Sequence, residues 1–160
     1  MSAYITLATP MLDAECLVAA IVDQGFLEAN IVRSAEPVAL RGWKQGQHAH
    51  IVLRKEHTGD AYNDIGFLSG QTGFTAILSD DHPRFGPEWL SRVSSRYQAH
   101  WSAKQERLAA EERRRLEEER QKVVEAQRQA VHERAKKMGY RVQETRVGET
   151  VRMVLVKRTY

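Results

Sequence analysis

The amino-acid sequence predicts an α+β protein with a mostly antiparallel sheet, one short N-terminal helix and one very long charged helix, followed by a C-terminal β-hairpin. Three observations indicate this class. Short alternating segments bounded by turn residues fill the first half of the chain. A stretch without internal proline or glycine then separates Pro87 from Gly139. Two more β-like segments follow, and such separate runs of strands and helices are typical of α+β folds.

The first two elements are predicted to be a strand and a helix. Tyr4–Ala8 alternates in the manner of a strand. Thr9 can cap the next helix, Pro10 suits its first position, and Gly25 is expected to end it. The helix is predicted from an apolar stripe at helical spacing, which comprises Leu12, Cys16, Leu17, Ala19, Ala20 and Ile21.

The rest of the body alternates between apolar and polar residues, with turn residues between the segments. Glu36-Pro37 separates the first two segments, and His57–Asp60 is expected to be a turn. The last two segments are expected to form a hairpin across Ser69–Thr72. The predicted strands are Asn30–Arg33, Val38–Arg41, His48–Arg54, Ile65–Leu68 and Gly73–Leu78.

The long helix is delimited by Pro87, which suits a first helical position, and by Gly139, which suits the residue after a helix end. A single helix over Glu88–Met138 would be about 75 Å long. A second hairpin is expected from Tyr140–Thr145 and Val151–Arg158. The predicted organisation is therefore an α+β body over 1–86, a helical arm over 87–138, and a hairpin over 139–160 that completes the body of its own or of a partner chain.

Composition narrows the class of protein. The arm from Ser102 to Lys137 has eleven Lys/Arg and eight Asp/Glu, a difference of +3 that equals the net charge of the whole chain. Cys16 is the only cysteine, which excludes an intrachain disulfide and a four-cysteine zinc site. The apolar runs are too short for a membrane span, and the N-terminus lacks signal-peptide features. We expect a soluble, cytoplasmic protein without a membrane partner.

Several short blocks of the chain form a recognisable series when they are taken in order. The blocks are Met1–Thr6, Gly25-Phe26, Arg41-Gly42-Trp43, Tyr62–Phe67, Gly73–Asp80, Arg96-Tyr97, Gly139-Tyr140 and Val154–Arg158. Together they resemble a family of unknown function that includes the hypothetical chloroplast open reading frame thirty-five proteins and bacterial relatives. The resemblance covers residues 1–100 and 139–158, and its most specific part is Asp64-Ile65-Gly66-Phe67 followed by a glycine–aromatic strand.

This resemblance implies a fold and no established activity. It also implies an accessory role beside an AAA-type ATPase, since genes for such ATPases lie near those of relatives. In the relatives, the residue matching Tyr97 lies much closer to the residue matching Gly139, so the arm resembles an insertion of about four heptads. A continuous helix would carry Gly139 about 40 Å further from Tyr97.

The insertion leaves three arrangements for the arm. Two chains could pair through antiparallel arms and exchange hairpins, which is the arrangement we favour. The arm could instead fold back on itself, although it offers no glycine or proline for a bend, or stand alone as a charged helix. We expect a homodimer with a heptad seam at Leu108, Leu116, Val123, Ala126 and Ala130.

Residues with potential chemistry are few. His48 and His50 share a strand face near His57 and Asp60, a spacing that can hold a metal, but the set is incomplete and favours a polar strand face. The segment Asp80–His82 could serve acid–base chemistry, although turn formation explains it equally well. No phosphate-loop or dinucleotide motif occurs. We therefore predict no catalytic residue, no metal and no cofactor.

A ligand or partner groove is the remaining site hypothesis. Arg41, Trp43, Tyr62 and Asp64 flank predicted strands and could line one groove. The alternative is structural, with Asp64 forming a turn and Tyr62 packing.

The predicted function is a non-enzymatic assembly or adaptor protein that self-associates through its arm and binds another protein. The alternative is a nucleic-acid-associated factor that uses Arg113–Arg115 and Arg134–Lys137.

Overall fold

A computed structural model describes residues 3–59 and 62–157 and has the predicted α+β class, with its short helix, long helix and C-terminal hairpin. A single 3₁₀ turn, Glu28–Asn30, precedes the second strand. The elements are β1 Tyr4–Ala8, α1 Ala14–Asp23, β2 Ile31–Ala39, β3 His48–Leu53, α2 Lys55–Thr58, β4 Ile65–Ser69, β5 Phe74–Ser79, α3 Pro87–Lys137, β6 Tyr140–Val147 and β7 Thr150–Lys157.

The five strands of the body form one antiparallel sheet in the order β1-β5-β4-β3-β2. Strand β1 joins the far end of a meander, so that Tyr4 lies opposite Ser79 and Ala8 opposite Thr75. The predicted hairpin of β4 and β5 is confirmed, with Ser69 opposite Phe74. None of the helices in the described part of the chain combines the length and the hydropathy needed to cross a lipid bilayer.

Contacts divide the chain into two compact units, Met1–Glu106 and Arg107–Tyr160. The first contains the five-stranded sheet, α1 and the first part of α3. The second contains the remainder of α3 and the two-stranded sheet of β6 and β7. Helix α3 begins at Pro87 and its 51 residues end at Lys137, so the predicted boundaries differ from the observed ones by one residue.

The main core lies on one face of the five-stranded sheet. Trp89, Val93 and Tyr97 recur every four residues on α3, so they project on the same side of the helix and are buried. The ring of Trp89 contacts the rings of Phe26, Phe67 and Phe85 at centroid distances of 5.2 to 6.3 Å. The buried residues of α1 that join this core are Cys16, Leu17, Val18, Ala20 and Ile21.

The predicted start of the first helix is wrong. Helix α1 does not begin after Thr9 and Pro10 but at Ala14, because Asp13 is the N-cap and its Oδ1 accepts the backbone N–H of Cys16 at 2.9 Å. The Thr9 hydroxyl donates to the carbonyl of Phe74 at 2.6 Å, which fastens the link after β1 to β5. Thr9 therefore makes a tertiary contact with β5 in place of the predicted helix cap.

The predicted strands Asn30–Arg33 and Val38–Arg41 are one strand, β2, whose pairing with β3 shifts between Arg33 and Val38. Proline is tolerated because β2 lies at the sheet edge and the ladder is interrupted there. The expected turn at His57–Asp60 is instead the short helix α2 closed by Gly59 at φ 75°. The last residue of the predicted turn, Asp60, lies outside the described residues. So does Arg158, the predicted end of the last strand.

Helix α3 is fastened to α1 by polar contacts. The Tyr97 hydroxyl oxygen accepts the backbone N–H groups of Leu12 and Asp13, each at 3.0 Å. The Lys104 ammonium lies 2.6 Å from Asp13 Oδ2 and 2.9 Å from Glu15 Oε2. These contacts satisfy backbone donors just before α1 and hold its capping residue in place.

We expect Tyr97→Phe to lower the free energy of unfolding by about 1–3 kcal/mol, because two backbone donors lose their buried acceptor. Urea denaturation followed by tryptophan fluorescence measures the change. Tyr140→Phe, in strand β6, is a matched control that should leave the midpoint close to that of the unmodified protein. Equal midpoints for both variants would contradict the bonding of Tyr97 to the α1 entry.

Candidate functional site

The best-defined polar centre in the body is the carboxylate of Asp64, which is completely buried. Its Oδ2 accepts the backbone N–H of Arg41 at 2.9 Å and lies 2.7 Å from Nη1 of Arg54. Its Oδ1 accepts the backbone N–H of Lys55 at 2.8 Å. Arg41 follows β2, Arg54 and Lys55 follow β3, and Asp64 precedes β4. One carboxylate therefore holds together the ends of three neighbouring strands.

The electrostatic environment of the Asp64 carboxylate favours a structural role for this group. Burial raises the pKa of Asp64, but the hydrogen bonds from the Arg41 amide, the Arg54 guanidinium and the Lys55 amide outweigh it, so the pKa lies below the ordinary value. The group is therefore ionised at neutral pH, with both oxygens engaged. A carboxylate in that state is a poor proton acceptor, which argues against general-base chemistry at Asp64.

A second buried polar side chain, Asn63, extends the same arrangement. Its Oδ1 accepts the backbone N–H of Trp43 at 3.0 Å, and its Nδ2 donates to Ser79 Oγ at 2.9 Å. Gly42 stands between Arg41 and Trp43 in the chain and has no room for a side chain. A Cβ there would be 2.6 Å from Asn63 Oδ1 and 2.4 Å from Tyr4 Oη. We call the buried pair Asn63 and Asp64, with the bonds they make, the Asn63–Asp64 clamp.

The clamp places the residues of the predicted groove. Arg41 and Trp43 are bonded through their backbones to Asp64 and Asn63, respectively, and Tyr62 directly precedes Asn63 in the chain. Trp43 and Tyr62 are 58% and 55% exposed, whereas Asp64 is closed to solvent. The groove hypothesis stays a prediction in which Asp64 supports the surface from below and only the other three residues can touch a ligand.

The histidines of the body take part in local hydrogen bonds. Nδ1 of His50 accepts the backbone N–H of Ser69, and Nδ1 of His82 accepts those of Arg84 and Phe85. Within 3–59 and 62–157, no group of three or more His, Cys, Asp or Glu side chains is arranged to hold a metal ion. Asp60, which the sequence placed beside His57 as a ligand, lies outside those ranges.

The second unit has almost no core. Between residues 107 and 157, which the structure describes completely, Ala135 is the one buried residue. The predicted seam is exposed, with Leu108, Leu116 and Val123 at 46%, 52% and 57%, and the two alanines of the seam, Ala126 and Ala130, are exposed as well. Among the residues that the structure describes, every exposed large apolar side chain other than Leu12, Leu27, Trp43 and Tyr62 lies in this unit.

Hairpin and helix are joined within the second unit by an ionic cluster that the sequence did not indicate. Arg128 contacts both oxygens of Glu144 through Nε at 2.7 Å and Nη2 at 2.6 Å, and His132 Nε2 bonds to the same carboxylate. The hydrogen bonds from Arg128 and then from His132 lower the pKa of Glu144 to about 2. The cluster places β6 against the last turns of its own helix.

Two basic residues of the nucleic-acid alternative, Arg114 and Arg115, are paired with glutamates along α3. Arg115 lies 2.8 Å from Glu112, and Arg114 lies 3.6 Å from Glu118. Pairs three and four residues apart are typical of solvated helix faces. They reduce the positive charge available to a phosphate backbone.

Sequence patterns missed the partners of these polar centres. Asn63 and Asp64 were visible as polar residues directly before a buried strand, but Arg54 and Lys55 carry no motif. Glu144 was one of several glutamates near the hairpin. Comparison with known proteins found no matching family model, no similar curated protein and no similar solved structure.

Proposed function

We propose that this chain is a non-enzymatic assembly or adaptor protein that forms a homodimer through α3 and the β6–β7 hairpin and presents the body to a protein partner. The observation that carries the proposal is the second unit, where a helix and a hairpin are formed with one buried residue, Ala135. A lone two-stranded hairpin is marginally stable in water. Folded elements without a core gain their stability by burying apolar surface against another chain.

A second copy suits this surface electrostatically. Short blocks of acidic and basic residues follow one another along α3, and some form ion pairs with neighbours, such as Arg120 with Glu117 and Arg128 with Glu125. The net charge of +3 is small for a chain of 160 residues. Repulsion between two arms is further screened beyond about 8 Å at physiological ionic strength.

The helix seam alone is narrow. Leu116, Val123 and Ala130 repeat every seven residues, but the positions three residues after the first two are Glu119 and Ala126. A two-stranded coiled coil prefers large apolar residues at both core positions. The apolar strand β7 of the hairpin therefore has to contribute to the interface.

Exchange of hairpins between copies is a finer hypothesis within this proposal. The bonds from Arg128 and His132 to Glu144 favour a hairpin that stays on its own helix. A role beside an AAA-type ATPase, which the family resemblance suggested, names one class of partner to test. Binding of single-stranded or duplex nucleic acid is the competing function, and its affinity would fall steeply with salt.

Light scattering coupled to size exclusion tests the proposal at tens of micromolar protein. We expect a mass near twice the chain mass of 18.3 kDa. Val123→Glu should shift the protein towards the single-chain mass, because a charge would have to be buried in the seam. Gln129→Glu is the matched control, since Gln129 shares the charged helix face with Lys122 and Glu125. A single-chain mass for the unmodified protein would overturn the proposal.

A further inference from the structure

Strand β7 has an edge that no other strand of the described chain covers. Strands β6 and β7 pair only with each other, so each has one free side. Strand β7 has no proline and no glycine, and its only charged residues are Arg152 and Lys157. Natural edge strands usually carry proline, bulges or inward charges that prevent pairing with another chain. Strand β7 has neither a proline nor a bulge.

The geometry of the turn decides which backbone groups point out of the hairpin. Val147 lies opposite Thr150, and the two-residue loop between them begins with Gly148 at φ 63°, as a type II′ turn requires. Such a turn is closed by a bond between the carbonyl of Val147 and the N–H of Thr150. Antiparallel ladders alternate from there between bonded and non-bonded pairs.

This alternation divides the amides of β7 into two sets. Arg152, Val154 and Val156 belong to bonded pairs and direct their N–H groups towards β6. The intervening Val151 and Met153, with Leu155 and Lys157 after them, direct theirs away from β6. An isolated hairpin would leave this second set without a strand partner.

The same outward residues carry apolar side chains. Val151 and Leu155 are 40% and 52% exposed, and Met153 between them is half-buried. Opposite residues in an antiparallel pair share a sheet face. Pairing at this edge would thus join the apolar side chains of two strands on one face.

We propose that β7 pairs antiparallel with β7 of a second copy of this chain, which makes one four-stranded sheet from two hairpins. This inference rests on the proposed self-association and names the surface that carries it. In the register centred on Met153, Val151 of one protomer lies opposite Leu155 of the partner subunit. Lys157 of each protomer then lies opposite Glu149 of its partner, so the charges at both ends are complementary.

The occupant is a second copy because this register satisfies both strands at once. Outward amides of one β7 meet outward carbonyls of the other, and no like charges are opposed. Arg152 faces Val154 of the partner subunit in this arrangement. A two-fold axis through the Met153 pair closes the assembly at two chains.

Amide hydrogen exchange followed by NMR is the first test, and β7 contains its own control. We expect Val151, Met153 and Leu155 to exchange as slowly as Arg152 and Val154. Fast exchange at the outward set, with slow exchange at the inward set, would overturn the edge pairing. If the mass is then still that of two chains, the proposed function survives without it, whereas a single-chain mass overturns both.

A matched pair of proline variants is the second test. Val151 and Arg146 lie opposite each other, and both direct their N–H away from the other strand, on opposite edges of the hairpin. Val151→Pro should raise the dimer dissociation constant about tenfold or more, because each copy loses one interchain bond. Arg146→Pro should leave it unchanged. Equal weakening by both variants would contradict pairing through β7.

The amide exchange rate of Val154 also shows whether a proline variant still forms its hairpin. A proline variant in which Val154 loses slow exchange has lost its hairpin, and the outward amides of the unmodified protein then decide alone.

Discussion

Replacing Asp64 with alanine is expected to lower the free energy of unfolding by about 3–5 kcal/mol, because it removes the partner of a buried ionic arrangement. The carboxylate serves two backbone donors, at Arg41 and Lys55, and the guanidinium of Arg54. Once the side chain is removed, the two backbone donors lose this acceptor, and Arg54 Nη1 keeps only the carbonyl of Ala39 at 3.2 Å. The ends of β2, β3 and β4 would separate as a result.

Chemical denaturation at pH 7 measures this loss. Glu56→Gln is the control, since Glu56 bonds to the outer side of Arg41 but is itself exposed. It should leave the unfolding midpoint nearly unchanged. An Asp64→Ala protein as stable as the Glu56→Gln protein would show that the buried carboxylate does not hold the strand ends.

The same group makes stability depend on acid. The pKa of Asp64 is lower in the folded protein than its ordinary value. The contribution of Asp64 to the free energy of unfolding is therefore complete above about pH 5. It is lost as the pH falls through the pKa that Asp64 has in the folded protein. Asp64→Asn should flatten this acid limb, and an unchanged slope below pH 4 would argue that other carboxylates dominate.

Replacing Gly73 with alanine should cost about 3–5 kcal/mol, the sum of a strained backbone and a steric overlap. Gly73 has φ 144°, and a Cβ there would lie 2.0 Å from the carbonyl oxygen of Thr9. That carbonyl cannot retreat easily, since the backbone N–H of Thr9 bonds to the carbonyl of Phe74 at 3.0 Å. The start of β5 would have to leave the link that follows β1.

Gly25→Ala separates the two causes. Gly25 also has a positive φ, 99°, but a Cβ there meets nothing within 4 Å. It should cost only about 1 kcal/mol for the backbone conformation. Equal losses in the two variants, measured by thermal unfolding, would mean that contact with Thr9 contributes nothing.

Local patterns predicted most of the strands and both long-range boundaries of α3, but not the start of α1, the unbroken strand β2 or the short helix α2. They also did not predict the contacts that hold the elements together. The ends of α3 were predictable because Pro87 and Gly139 are the last such residues before and the first after a long helical composition. The hairpin of β6 and β7 followed from alternation around Gly148. In contrast, Thr9 has the sequence features of a cap, and only its contact with Phe74 in three dimensions prevented that role.

The candidate site was predictable only in part, for a related reason. The sequence analysis named Arg41, Trp43 and Asp64 as groove residues, yet the sequence could not indicate that Asp64 is buried. That depends on Arg54 and Lys55, which reach it through the pairing of β3 with β4. Similarly, Arg128 and His132 share a helix face by spacing, but Glu144 joins them through the fold of the second unit.

The placement of β1 also has a consequence for synthesis on the ribosome. The backbone N–H of Ala3 bonds to Asp80, which lies 77 positions later in the chain. Strands β2 to β5 pair as consecutive neighbours and can form while the chain is still emerging. The first strand to be made is thus among the last to find its place, and until then the open side of β5 is available to chaperones.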